Sequence, residues 1–135
     1  MRKAQADDIN FGLRAEDRLL SFIQDNFGSD FKKTAHYAVW DYHNNDESMY
    51  IELKSRRCKH NQYPDTMVGY NKIKWAQQKP SCRFIILFNF TDGLYKWELD
   101  HSKTYKPRIG GTNARGFDDY KDHLYIPIEE LSVVS

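Results

Sequence analysis

From Met49 to Arg57 the chain reads MYIELKSRR, an alternating run. In an extended strand Met49, Ile51 and Leu53 point to one side, and Tyr50, Glu52, Lys54 and Arg56 point to the other. Glu52 and Lys54 therefore share a face and reach one point above it. A second carboxylate, Asp41, closes the preceding apolar run AVWD. Two carboxylates and an ammonium converging on one spot can hold a hard divalent cation and steady charge on phosphoryl oxygens, which is the chemistry of metal-assisted phosphodiester cleavage. The alternation predicts a half-buried strand with one charged face. A plainer reading keeps Glu52 and Lys54 as a surface ion pair and Asp41 as a turn residue. Such a pair adds little to stability, so Lys54→Ala separates the two readings: only in the first does it abolish a reaction.

These residues need elements to carry them. Residues 8 to 27 read as a first helix, capped by Asp7, Asp8 or Asn10, with Leu13, Leu19, Leu20, Ile23 and Phe27 on one apolar stripe. Glu16 falls within that stripe. A carboxylate there must find a partner or a cation, because burying it alone is costly; a core Lys or Arg would serve as well as a metal. Gly28 and Ser29 end the helix, and Phe31 to Thr34 is a short edge strand or only a connection. His36 to His43 reads as a strand delivering Asp41, and Asn44, Asn45 and Asp46 reverse the chain so that Asp41 comes beside Glu52.

The order of these residues, with Asp41, then Glu52-Leu53-Lys54 after a hairpin-length gap, and Glu16 on an N-terminal helix, resembles the PD-(D/E)XK nuclease superfamily, which includes restriction endonucleases and Holliday junction resolvases. The residue before Asp41 is Trp40, not the Pro of the superfamily motif, a departure shared by many members. The resemblance implies an α/β fold with a restriction endonuclease-like αβββαβ core: a central mixed sheet flanked by helices, extended here by a C-terminal hairpin and a short final strand. It implies catalytic roles for Glu16, Asp41, Glu52 and Lys54. Magnesium, with manganese able to substitute, would be held by Asp41, Glu52 and the Leu53 main-chain carbonyl, with Glu16 acting through water. The expected function is a metal-dependent endonuclease acting on DNA, structure-directed or weakly sequence-specific. The alternatives are a non-catalytic nucleic-acid-binding module of the same fold and a nuclease whose substrate is RNA. Small junction resolvases and some phage or viral nucleases share this build; a resolvase must cut two strands symmetrically, which implies a homodimer.

The 135 residues suit a single domain large enough for its own core, and the 40% hydrophobic content argues against disorder. A net charge of +1 gives no overall basic field, so contact with nucleic acid must come from local clusters. Arg56 and Arg57 form one; Lys72 and Lys74, on a second helix expected from Thr66 to Lys79 ahead of Pro80, form another. On that helix Tyr70 could approach the site, although an aromatic at helical spacing usually belongs to the core. Lysines on a helix are often simply its wet face, yet these follow the catalytic strand, where superfamily members contact phosphates.

Arg83 to Phe90, RFIILFNF, reads as a fully buried strand pairing in parallel with the strand that bears Asp41. Asp92-Gly93 then returns the chain as Leu94 to Leu99, an outer strand. From Asp100 to Asp122 the pattern dissolves. Lys106, Arg108 and Arg115, mixed with Tyr105, Phe117 and glycines, suit either a phosphate-tracking loop or a solvated one. Leu124 to Ile128 reads as the last strand. Cys58 and Cys82 are expected to be free thiols; with His60 they lack the spacing of a zinc site. The N-terminus lacks a signal-peptide core and no apolar run is long enough to span a membrane, so the expected location is intracellular: cytoplasmic, or nuclear in a eukaryotic host.

Overall fold

The computed structural model describes residues 18–35, 38–112 and 119–134. The first described element is helix α1, residues 18–26. Strands β1 (Lys32–Lys33), β2 (Tyr42–His43), β3 (Met49–Ser55) and β4 (Asp65–Gly69) follow, then helix α2 (Tyr70–Gln77). Strands β5 (Arg83–Phe90), β6 (Gly93–Glu98), β7 (Arg108–Thr112), β8 (Asp119–Pro127) and β9 (Ser132–Val133) come next among the described residues, with a 3₁₀ turn at Ile128–Glu130. The result is a mixed α/β fold with two sheets. One has the order β1-β2-β3-β5-β6-β9, the other β4-β8-β7.

The centre of the large sheet is the parallel pair β3 and β5, in which Glu52 lies opposite Ile86 and Lys54 opposite Phe88. A parallel pair needs a crossover, and here β4 and α2 supply it. Both faces of the pair are covered. Met49, Ile51, Ile85 and Leu87 pack with Ile23 and with Leu19, Phe22 and Phe27 of the α1 segment. Tyr50, Phe84, Ile86 and Phe88 pack with Ile73 and Ala76 of α2 and with Val68, Leu124 and Ile126 of the small sheet. The alternation along β3 is therefore as read from the sequence, but its second face is not charged throughout: Tyr50 is buried among aromatic rings, and Glu52 is only 3% exposed. The small sheet and α2 close over what would otherwise be the wet side.

Several expected elements differ. Only Tyr42–His43 of the expected His36–His43 strand is extended, and Asp41 precedes this strand instead of ending it; His36 and Tyr37 lie outside the described residues. The buried run of β5 pairs in parallel with the Glu52 strand, β3, because both edges of β2 are already taken by β1 and β3. Thr66 to Gly69 is strand, not helix. Thr66 and Val68 alternate inward and meet Ile126 and Leu124 of β8 across an antiparallel ladder, a better fit for β-branched side chains than a helix turn. Helix α2 starts only at Tyr70, after an extended Gly69, and Pro80 lies just beyond its end. Within the expected irregular stretch, Arg108–Thr112 and Asp119–Pro127 pair as β7 and β8; residues 113–118 lie outside the description. The hairpin at Asp92-Gly93 forms as read, with Phe90 opposite Gly93, and β6 is nearly an outer strand, flanked only by the two residues of β9.

Candidate metal-assisted hydrolytic site

The site grows out of the β2–β3 hairpin. Asn44 makes the turn: its side-chain oxygen accepts hydrogen bonds from the amides of Ser48 (2.9 Å) and Met49 (3.1 Å). Tyr42 then pairs with Ile51, and that register continued by one residue brings Asp41 beside Glu52. Asp41 is fixed from three sides. Its Oδ2 accepts a hydrogen bond of 3.0 Å from the Leu53 amide. Its carbonyl accepts from the Thr34 amide at 2.8 Å, and the Thr34 hydroxyl lies against the carbonyls of Trp40 and Asp41. Trp40, only 1% exposed, packs its ring 5.0 Å from that of Phe84. The bulky residue standing where the superfamily motif has Pro is thus an anchor that pins the Asp41 segment to the core.

Glu52 projects from the middle of β3 toward α2. Two ammonium groups face the same carboxylate oxygen: Lys72 Nζ at 3.1 Å and Lys54 Nζ at 3.4 Å from Oε2. The other oxygen, Oε1, is buried with no hydrogen-bond partner. Burial, reinforced by the negative charge of Asp41, pushes the Glu52 carboxyl above the usual range, and the pull of Lys72 and Lys54 offsets this only in part. Lys72 and Lys54 thus offset the two acids from one side of Glu52 only, and the side of Oε1 is left open. Its donors, two carboxylates with the Leu53 carbonyl on the same strand, are the hard oxygens that magnesium or manganese takes, and the orphaned Oε1 is a coordination position without an occupant of its own. The residues present fit a divalent cation. Among the described residues no third His, Cys, Asp or Glu joins Asp41 and Glu52, and Glu16 lies outside the description.

Lys54 is partly exposed and lines a cleft of about 380 Å³ with Arg56, Met67, Val68, Gly69 and His123. Lys54 links this cleft to the carboxylates, its ammonium lying 3.4 Å from Glu52 Oε2. Sequence reasoning had no place for His123, which falls between the irregular stretch and the last expected strand; β8 starts earlier than expected and brings it opposite Gly69.

The remaining expected residues disperse. Arg56 is half-buried, with Nε on the Thr66 hydroxyl (3.2 Å) and an Nη on the Met67 carbonyl (2.6 Å), so it braces the end of β3 against β4. Arg57 is exposed. Lys72 turns inward to Glu52, whereas Lys74 lines a separate cleft with Tyr70, Asn71 and Asp122. The Tyr70 hydroxyl donates to the Tyr105 carbonyl at 3.0 Å and so serves the core side of α2. Arg108 pairs with Asp65 at 3.7 Å and lies 3.9 Å over the Tyr125 ring, and Lys106 is exposed. Arg115 lies outside the described residues. Cys58 and Cys82 are both free thiols. Among the described residues no helix is long and apolar enough to cross a membrane.

Comparison with known proteins places the chain in a family. The model of the family described as "Phage putative PDDEXK endonuclease" matches residues 8–134, nearly the whole chain. No match was found among curated proteins, and none among solved structures.

Proposed function

The chain belongs to the phage PDDEXK endonuclease family, and on that premise we propose that it is a divalent-metal-dependent endonuclease hydrolysing phosphodiester bonds in DNA. The observation that carries this reading is the meeting of Asp41 with a buried Glu52 whose Oε1 has no partner, beside Lys54, which itself lines a cleft. Burying that oxygen without a partner is costly, and a bound divalent ion would give it one.

Asp41, Glu52 and the Leu53 carbonyl would hold magnesium, or manganese in its place. When bound, that ion supplies the charge that acidifies a water and offsets negative charge on a non-bridging phosphoryl oxygen. The Leu53 amide keeps one Asp41 oxygen oriented, and the other is the one Asp41 would offer to the ion. Lys54, at the cleft, acts as an ammonium: it donates to the phosphoryl oxygens as charge develops and helps orient the attacking water. Glu16 keeps the role implied by the family motif, holding a metal water or a second ion. Arg57, Lys74 and Lys106 are exposed and free to meet phosphates, while Arg56 reaches the cleft with the part of its guanidinium that β4 leaves open.

The test is a cleavage panel of linear duplex, single-stranded, flap and four-way junction DNA, with RNA beside them, each with magnesium, manganese or chelator. Metal-dependent cutting of DNA is the expected result, and the preferred shape defines the substrate class. A preference for four-way junctions should come with a dimer in sedimentation. A folded, metal-supplied wild type that cuts nothing but shifts DNA in a gel would replace this reading with a non-catalytic binding module, and selective cutting of RNA would replace the substrate.

A further inference from the structure

Lys72 is not where a helix would choose to place a lysine. It lies in the first turn of α2, near the positive end of the helix dipole, and no acidic residue occupies that turn to offset it. Its ammonium instead reaches inward, 3.1 Å from Glu52 Oε2, and also donates to the main-chain carbonyl of Val39, two residues before Asp41. It thus touches one proposed metal ligand and the segment that carries the other. Resting on the metal-site reading above, we propose that Lys72 is a built-in counter-cation: it holds the site in shape while no divalent ion is bound, and withdraws from Glu52 when one enters.

The geometry supports exchange over permanent pairing. Lys72 and Lys54 crowd one oxygen of Glu52 while the buried Oε1 has neither. A divalent ion bound to Glu52 would meet two ammonium groups within a few ångströms, and like-charge repulsion must move one of them. Lys54 faces the cleft, where an incoming phosphate is its natural partner. Lys72 already has a second acceptor in the Val39 carbonyl, so it leaves Glu52 without losing all its hydrogen bonds. Lys72 is therefore a positioning residue. It competes with the metal for Glu52 and sets the concentration at which the site fills; contact with substrate is not required of it.

The experiment needs no nucleic acid. Manganese binding to the full chain is measured by calorimetry for wild type, Lys72→Gln, Lys72→Arg and Asp41→Asn, with thermal melting in chelator and in saturating manganese. Gln removes the charge but can still donate to Val39; Arg keeps the charge. Lys72→Gln should bind manganese roughly tenfold more tightly than wild type, because a positive charge beside a ligand oxygen has been removed, while Lys72→Arg stays within about threefold. Lys72→Gln should also melt lower than wild type in chelator, with the gap narrowing or closing in manganese. Equal or weaker manganese binding by Lys72→Gln, or a melting deficit that is the same with and without metal, overturns the proposal. So does a Lys72→Gln chain that folds in neither condition, since the role is then structural, whereas folding only in manganese supports it. If wild type binds no manganese, or Asp41→Asn binds it as well as wild type does, the metal site itself has failed. If binding depends on Asp41 but not on the charge at position 72, only the counter-cation role has.

Discussion

At the scale of single residues, the chemistry of this chain depends on how unevenly Glu52 is partnered, with two ammonium groups on one oxygen and none on the other. A surface Glu–Lys pair would be solvated and nearly neutral in energy; this one is sealed on the Glu side and open on the Lys side. That asymmetry separates function from stability at Lys54. Lys54→Ala should leave the melting temperature close to that of wild type, with Lys72 still paired to Glu52, while cleavage falls by about a hundredfold or more, the usual cost of losing a charge-stabilising donor. Trp40 behaves in the opposite way. It touches no proposed ligand but fills the core beneath Asp41, so Trp40→Ala should destabilise by about 3–5 kcal/mol in urea unfolding, and Trp40→Phe by clearly less. A Trp40→Ala chain as stable as wild type would remove the anchoring role. The motif residues Asp41, Glu52 and Lys54 were legible because hairpin and strand spacing are local. That Lys72 joins them was not legible, since no spacing in sequence announces which turn of a helix will face a strand.

At the scale of elements, the same distinction recurs. Strand β3, strand β5 and the Asp92-Gly93 hairpin could be read from alternation, an unbroken apolar run and turn chemistry, all of which lie within neighbouring residues. Strand β4 could not, because TMVG is too short to show a period and its partner, the strand read at Leu124 to Ile128, lies far along the chain. The consequence falls on Arg56 and Arg57, adjacent and chemically identical in sequence. The ladder of β4 draws Arg56 onto Thr66 and Met67, where burial holds its guanidinium below its ordinary range, and leaves Arg57 in solvent. Arg56→Ala should cost about 1–3 kcal/mol by leaving the Met67 carbonyl without its donor, and Arg57→Ala less than about 0.5 kcal/mol. Urea unfolding of the two variants checks this. Equal stabilities would mean that Arg56 does not brace β4, and any loss of nucleic-acid binding in Arg56→Ala could then be read directly.

At the scale of the whole molecule, a net charge of +1 rules out binding through a broad basic field. Affinity for DNA should fall only gently with salt, with a log–log slope of about −2 to −4, as expected for a few phosphate contacts. A slope near −8 would point to a basic surface that the described residues do not provide. Stability toward acid has a separate source. The Arg83–Glu98 pair, with contacts of 2.8 Å, holds the Glu98 carboxyl below its ordinary value. A depressed carboxyl contributes stability above its unfolded value, near 4.5, and loses it as pH falls through the folded value. Both side chains are well exposed, so screening leaves about a few tenths of a kcal/mol. Glu98→Gln should therefore lower stability slightly at neutral pH and converge with wild type in acid; divergence in acid would reverse the sign and refute the assignment.

Most direct of all is the cleavage of DNA by wild type and Lys54→Ala at equal folded concentration, in manganese and in chelator, with melting curves recorded on the same samples. The account predicts cutting by wild type only with metal, loss of that cutting in Lys54→Ala, and nearly superimposable melting curves. Cutting that persists in Lys54→Ala, or in chelator, would contradict it.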